Sequence, residues 1–233
     1  MTEEKERDEK ILKELRRAAE KMGFSRRRVG LWVKRTVDLV LAGVGLILTG
    51  PLILLLAWLV KRGDPGPAFY VQERLGQFGK VFKMYKLRTM VVGAEKMGAG
   101  LGIERNDPRI TRVGKWLRAT SLDELPQLWN ILRGDMSFVG PRPLPVRYLE
   151  RWNPRQRLRL LMPQGITGWA QVKGRNELSW PIRLEMDVWY VENWSLWLDL
   201  KIMFMTVWAV IKREGVSGAD GSVPEFTGDE NAK

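Results

Sequence analysis

Two adjacent carboxylates, Asp123 and Glu124, stand in the run Ser121-Leu122-Asp123-Glu124-Leu125-Pro126-Gln127, just before an apolar stretch through Leu128, Trp129, Ile131 and Leu132. A local explanation is a capping box, with Ser121 as N-cap and Glu124 three residues on. A helix that instead opens at Pro126 leaves both acids outside it. In either register a helix N-terminus favours an ionised carboxylate and binds phosphate. Cations surround the pair in sequence: Lys86 and Arg88 in YKLRTM, Arg109 and Arg112 in DPRITRVG, Arg118, Arg133, and Arg142 between two prolines. Guanidinium groups grip phosphate oxygens in a bidentate fork, and the flanking prolines would fix the backbone of Arg142 for that purpose. Together these residues suggest a site that holds a diphosphate, with Mg²⁺ bridging carboxylate and phosphate oxygens.

The absences narrow the chemistry further. With neither Cys nor His in 233 residues, there is no thiol nucleophile, no imidazole base and no ordinary zinc site. Any nucleophile must come from Asp, Glu, Lys, Ser, Thr or Tyr, and an ionised Asp beside a metal is a credible phosphoryl acceptor. The net charge of +12 favours an anionic partner, whether nucleic acid, anionic lipid or phosphorylated substrate. No helix-turn-helix, zinc-finger or base-stacking motif is visible, so nucleic acid is not an expected partner.

Positioning these residues requires elements that the hydropathy pattern supplies. Glu3 to Lys21 reads as a thin amphipathic helix with Ile11, Leu12, Leu15 and Ala18 on one side, expected as a solvated extension. Leu39 to Val60 carries no charge and is long enough to cross a bilayer. Gly50 and Pro51 near its middle predict a kink, and Lys34, Arg35, Lys61 and Arg62 at its two ends place both flanks on the cytoplasmic side. A re-entrant hairpin satisfies both features, and a plain spanning helix with a tolerated proline is the alternative. Beyond Asp64-Pro65-Gly66-Pro67, a β-hairpin is expected from Phe69 to Gln72 and Lys80 to Lys86. The Trp-rich segment Val191 to Ile211 contains Glu192, Asp199 and Lys201, which favours a helix lying flat at a membrane interface over a buried core helix. Residues 215–233 are expected to form a mobile tail.

The segments Lys34 to Val60, Gln72 to Met90, Asp107 to Arg142 and Gly165 to Arg175 resemble the bacterial sugar transferases, the small monotopic polyprenyl-phosphate phosphoglycosyl transferases. The resemblance is carried by KLRTM, TSLDELPQLWNILRGDMSFVGPRP and GITGWAQVKGRN. It implies a mostly helical α+β fold with a re-entrant membrane helix (32–62) broken at Gly50-Pro51 and a cytoplasmic catalytic domain with interfacial helices (63–214), to which the residue pattern adds the charged N-terminal helix (1–31) and the tail. It implies transfer of a sugar phosphate from a UDP-sugar to polyprenyl phosphate at the cytoplasmic face of the bacterial inner membrane, in two steps with UMP release. Asp123 would be the nucleophile, Glu124 and Asp123 would hold Mg²⁺, and Lys86, Arg88, Arg118 and Arg142 would handle phosphate. Membrane lipids and downstream glycosyltransferases are the further partners it implies. Two departures stand out: Gly50-Pro51 where the family commonly has Ser-Pro, and Pro163-Gln164-Gly165 where it has Pro-Gly. A non-catalytic scaffold for glycan enzymes is the rival reading.

Overall fold

The computed structural model describes residues 2–98, 100, 102–104, 106–174, 178–212 and 225–228. The tail expected over 215–233 therefore lies outside the described residues except at 225–228, as do Arg175 and Asn176 of the GITGWAQVKGRN run.

Helix α1 (Thr2–Lys21) follows its predicted span, but it is not a solvated extension. Ile11 and Leu15 are buried, at 6% and 2% exposure, in the main core against Leu149, Leu160 and Leu161. Helix α2 (Arg28–Gly63) is one continuous α-helix with Pro51 inside it. It is long and apolar enough to cross a membrane by length and composition. Lys34, Asp38 and Ala42, then Ile53, Leu56, Ala57 and Val60 three turns on, are buried on one side of it, the signature of a helix packed along one face. The opposite face exposes Trp32, Val40, Ile47, Leu48, Leu54, Leu55 and Trp58.

Two of the cations expected to flank the membrane segment are instead committed to tertiary contacts. Lys34 donates to Asp199 at 2.7 Å and to the Val139 carbonyl at 2.8 Å. Arg35 donates to the carbonyls of Ile131 and Leu132, the last turn of α4 (Gln127–Arg133), where helix carbonyls lack intrahelical partners.

Strands β1 (Phe69–Leu75) and β2 (Val81–Leu87) form the expected antiparallel hairpin, three residues longer on the first strand, with Phe69 opposite Leu87 and Leu75 opposite Val81. A second sheet was not anticipated: β3 (Met136–Val139) pairs in parallel with β4 (Gln164–Thr167). Its strands are too short to show alternation, and Gln164, the extra residue before Gly165, is fully buried with its amide donating to the carbonyls of Arg159 and Met162. Between the sheets run α3 (Arg112–Thr120) and α4, and after β3 come the short α5 (Pro154–Arg157), then α6 (Trp169–Lys173) and α7 (Trp180–Glu192). The Trp-rich segment expected as one element over Val191 to Ile211 divides instead, with α7 ending at Glu192 and α8 (Leu196–Lys212) following. Asp199 faces inward on α8 because Lys34, Tyr190 and Trp194 all bond to it, while Trp197, Phe204, Val207 and Trp208 are exposed.

Candidate active site

The acidic pair sits in a 3-10 turn, Leu122–Glu124, between α3 and α4. No capping box forms. Ser121 closes α3 in the left-handed region at φ 57°, and its side chain caps nothing, while Pro126 precedes the first residue of α4. The left-handed residue ends one helix and the proline delays the next, so both carboxylates fall in the short connection between them.

Glu124 is clamped. Its Oε1 accepts from Lys86 Nζ at 2.6 Å and from Arg142 Nη2 at 3.0 Å. Burial pushes its carboxyl up, but Lys86 and Arg142 outweigh that and hold it well below the usual carboxylate range. Asp123, 8% exposed, makes no hydrogen bond or ion pair of its own among the described residues, and its neighbours act only through charge. Burial and Glu124 push its carboxyl above the ordinary value, against the opposing pull of Lys86, Arg118 and Arg142. One carboxylate of the pair is thus locked by cations, and the other is left without a donor and desolvated. A desolvated carboxylate is the more reactive of the two toward an electrophile.

The cations come from three places. Lys86 lies near the end of β2, and burial lowers its pKa. Arg118, in the last turn of α3, is held by its Nε donating to Thr89 Oγ1 at 2.8 Å. Helix α3 reaches Thr89 because of Gly114, where a Cβ would stand 2.0 Å from the Thr89 carbonyl oxygen. Arg142 projects from the segment after β3, and its carbonyl accepts from Arg159 Nη2 at 2.6 Å. Arg159 is fully buried and paired with Asp187 of α7 at 2.7 Å. Three glycines set that segment: a Cβ on Gly140, Gly165 or Gly168 would meet backbone within 2.1–2.2 Å, so the ends of β3 and β4 close backbone to backbone. Gly140 N–H donates to Thr167 and Gly165 N–H to Pro141, both at 2.9 Å.

Arg88, the remaining predicted phosphate ligand, is 5% exposed and turned to the chain leaving α2: it pairs with Asp64 and donates to the carbonyls of Asp64 and Pro67 at 2.6 Å. Arg109 is likewise internal, bonding Asp107 and the carbonyls of Ala94, Met97, Gly100 and Gly102. Reading the sequence missed Thr89, Arg159 and Asp187, which hold Arg118 and Arg142. It also missed Arg74, whose Nη1 donates to Pro143 O at 3.3 Å and whose pKa burial lowers to about 10. Gly50 and Pro51 lie on α2, and a Cβ on Gly50 would meet nothing within 4 Å.

Among the described residues no group of three or more metal-ligating side chains occurs. Two adjacent carboxylates fit Mg²⁺, which is usually held by one or two carboxylates with substrate phosphates and water completing the shell.

A family model described as bacterial sugar transferase matches residues 29–213. The chain is 43% identical over 197 residues to an uncharacterized sugar transferase, EpsL, of Bacillus subtilis, covering 84% of this chain and 96% of that protein. It is 42% identical to the undecaprenyl-phosphate galactose phosphotransferase of Salmonella typhimurium, covering 81% of this chain. It is 44% identical to the UDP-glucose:undecaprenyl-phosphate glucose-1-phosphate transferase of Escherichia coli, covering 75% of this chain. The matches span only 42% and 39% of the length of those last two proteins.

Proposed function

Because the chain belongs to the bacterial sugar transferase family, we propose that it transfers a sugar 1-phosphate from a UDP-sugar to a polyprenyl phosphate, with Asp123 as nucleophile. The observation that carries the reading is the asymmetry of the dyad: Glu124 is neutralised by Lys86 and Arg142, and Asp123 is buried without a donor. In the first step an Asp123 carboxylate oxygen attacks the β-phosphorus of the donor. The bond from that phosphorus to the bridging oxygen breaks, and UMP leaves with the electron pair. In the second step an oxygen of polyprenyl phosphate attacks the same phosphorus and the Asp123–phosphorus bond breaks, giving polyprenyl-diphosphate sugar and the free carboxylate. Lys86, Arg118 and Arg142 oppose charge on the phosphoryl oxygens, the usual source of catalysis when little proton transfer is needed. Asp123 and Glu124 would hold Mg²⁺, which when bound neutralises the diphosphate of the donor.

The membrane reading follows from α2 and α8. Their exposed faces, from Trp32 to Trp58 and from Trp197 to Trp208, are largely apolar, with the exposed Lys201 interrupting the second, and bear tryptophans suited to the headgroup level. Both halves of α2 pack on the same body, the first against Leu128 and Ile131 and the second against Leu87 and Leu117. This supports a helix that enters the cytoplasmic leaflet of the inner membrane and does not cross. The resulting lipid-linked sugar is a starting unit for glycan assembly, where downstream glycosyltransferases would act.

The test is UMP release from a panel of UDP-sugars by detergent-solubilised protein with polyprenyl phosphate and Mg²⁺. Release by the wild type that Asp123→Asn abolishes is the expected result. Release that survives this substitution rejects Asp123 as nucleophile, and no release from any donor favours the scaffold reading.

A further inference from the structure

Residues 225–228 return to the body of the protein and seat Phe226, 1% exposed, in a socket between two segments adjoining the site. The ring meets Tyr148 edge-on at 5.3 Å between centroids and tilts against Trp180 at 5.5 Å. Tyr148 and Trp180 meet edge to face at 5.9 Å. The main chain is read as well: Phe226 N–H donates to Tyr148 Oη at 3.2 Å, and its carbonyl accepts from Arg151 Nη1. Glu225 completes the match, paired with Arg147 at 2.7 Å and Arg151 at 3.3 Å. Ring, both main-chain groups and a neighbouring carboxylate are all recognised. A buried aromatic anchor ringed by half-exposed ion pairs has the anatomy of a peptide-binding hot spot, in which the ion pairs alone contribute little.

The socket is built on the segments that carry the candidate site. Arg147 and Tyr148 follow Arg142 in the same proline-rich stretch, which is tied to β1 by Leu75 N–H donating to Leu144 O at 3.0 Å. Trp180 opens α7, whose Asp187 anchors Arg159 and through it the Arg142 carbonyl. We propose that the socket is a binding site for this chain's own Glu225–Phe226 segment, and that its occupancy positions Arg142 against Glu124. Phe226 is then a positioning residue, and its effect on catalysis rests on the phosphate-handling role given to Arg142 above.

The experiment compares the full-length wild type with Phe226→Ala and Phe226→Leu by amide hydrogen exchange, with and without a synthetic peptide spanning residues 220–230. Exchange over residues 146–151 and 180–183 should rise about tenfold in Phe226→Ala. It should stay near wild type in Phe226→Leu and be unchanged in β1 and β2. The peptide should restore protection to Phe226→Ala, and a peptide with Ala in place of Phe should not. Unchanged exchange at both segments overturns the docking, and faster exchange that the peptide cannot reverse marks a folding defect and overturns it too. UMP release separates the second half: kcat should fall about tenfold in Phe226→Ala, a loss of roughly 1.4 kcal/mol, and recover with peptide. An unaltered kcat beside altered exchange overturns the positioning of Arg142. A wild type that releases no UMP overturns the proposed reaction, while the exchange result still decides the socket.

Discussion

At the scale of single residues, the two acids of the dyad should have opposite effects on stability. Asp123 has a raised carboxyl pKa, so its ionised form costs the folded state free energy; that cost is complete above the raised pKa and vanishes below the ordinary carboxylate range. Glu124 has a depressed pKa, so its contribution is present above the ordinary range and is lost as pH falls toward the depressed value. At pH 7, Asp123→Asn should therefore raise the melting temperature. Glu124→Gln should lower it, by about 2 kcal/mol or roughly 4–8 °C, since its pair with Lys86 is partly exposed and weaker than a fully buried one. Both differences should shrink on acidification, as thermal melts across pH would register. Two shifts of the same sign would contradict this account of the site. Activity should fall as pH drops through the Asp123 pKa, and Lys86→Met, by removing an opposing cation, should move that limb to higher pH. The dyad, Lys86, Arg118 and Arg142 stand in separate short stretches of the sequence, and the fold brings them together. Arg88 looked equivalent in sequence, and only the fold reveals that Asp64, 24 residues away, takes it.

At the scale of elements, the hairpin of β1 and β2 was legible from its glycines and polar–apolar pattern, while β3 and β4 were not. Four-residue strands carry too little periodicity, and the three glycines that let their ends meet read only as loop residues. Those glycines make a contrast with Gly50. Gly140→Ala forces a Cβ to about 2 Å from Pro163 O and must displace the Arg142 segment, so UMP release should fall at least tenfold with a clear loss of melting temperature. Gly50→Ala meets nothing and sits in a helix, so it should leave activity intact and stabilise by up to about 1 kcal/mol. Equal tolerance at the two positions would mean that the close approach of β3 and β4 is not required. The division of the Trp-rich segment into α7 and α8 is set locally by Ser195, whose Oγ accepts from Leu198 N–H at 3.1 Å as an N-cap, a signal that reading the apolar run as one segment passes over.

At the scale of the whole molecule, the apolar segment announced a membrane helix, but its relation to the rest of the chain did not follow from hydropathy. Lys34 and Arg35 read as topology signals, yet they serve as ties to α8, β3 and α4. Ile11 and Leu15 read as a thin stripe on a charged helix, and they prove to be core. A chain without cysteine allows single cysteines to report sidedness directly. Introduced at Arg26 and at Arg62 in separate variants, both should react with an impermeant maleimide from the cytoplasmic side of inverted vesicles. Labelling from opposite sides would establish a spanning helix and contradict the leaflet-embedded reading.

The most direct measurement of the central claim is the intact mass of the protein after incubation with its UDP-sugar and Mg²⁺ in the absence of polyprenyl phosphate. Stoichiometric UMP release, with a gain equal to one sugar phosphate carried on the peptide containing Asp123 and lost on adding polyprenyl phosphate, is the predicted result. UMP that appears only when polyprenyl phosphate is present, with no adduct on the protein, would mean a single direct displacement in which Asp123 is not the nucleophile.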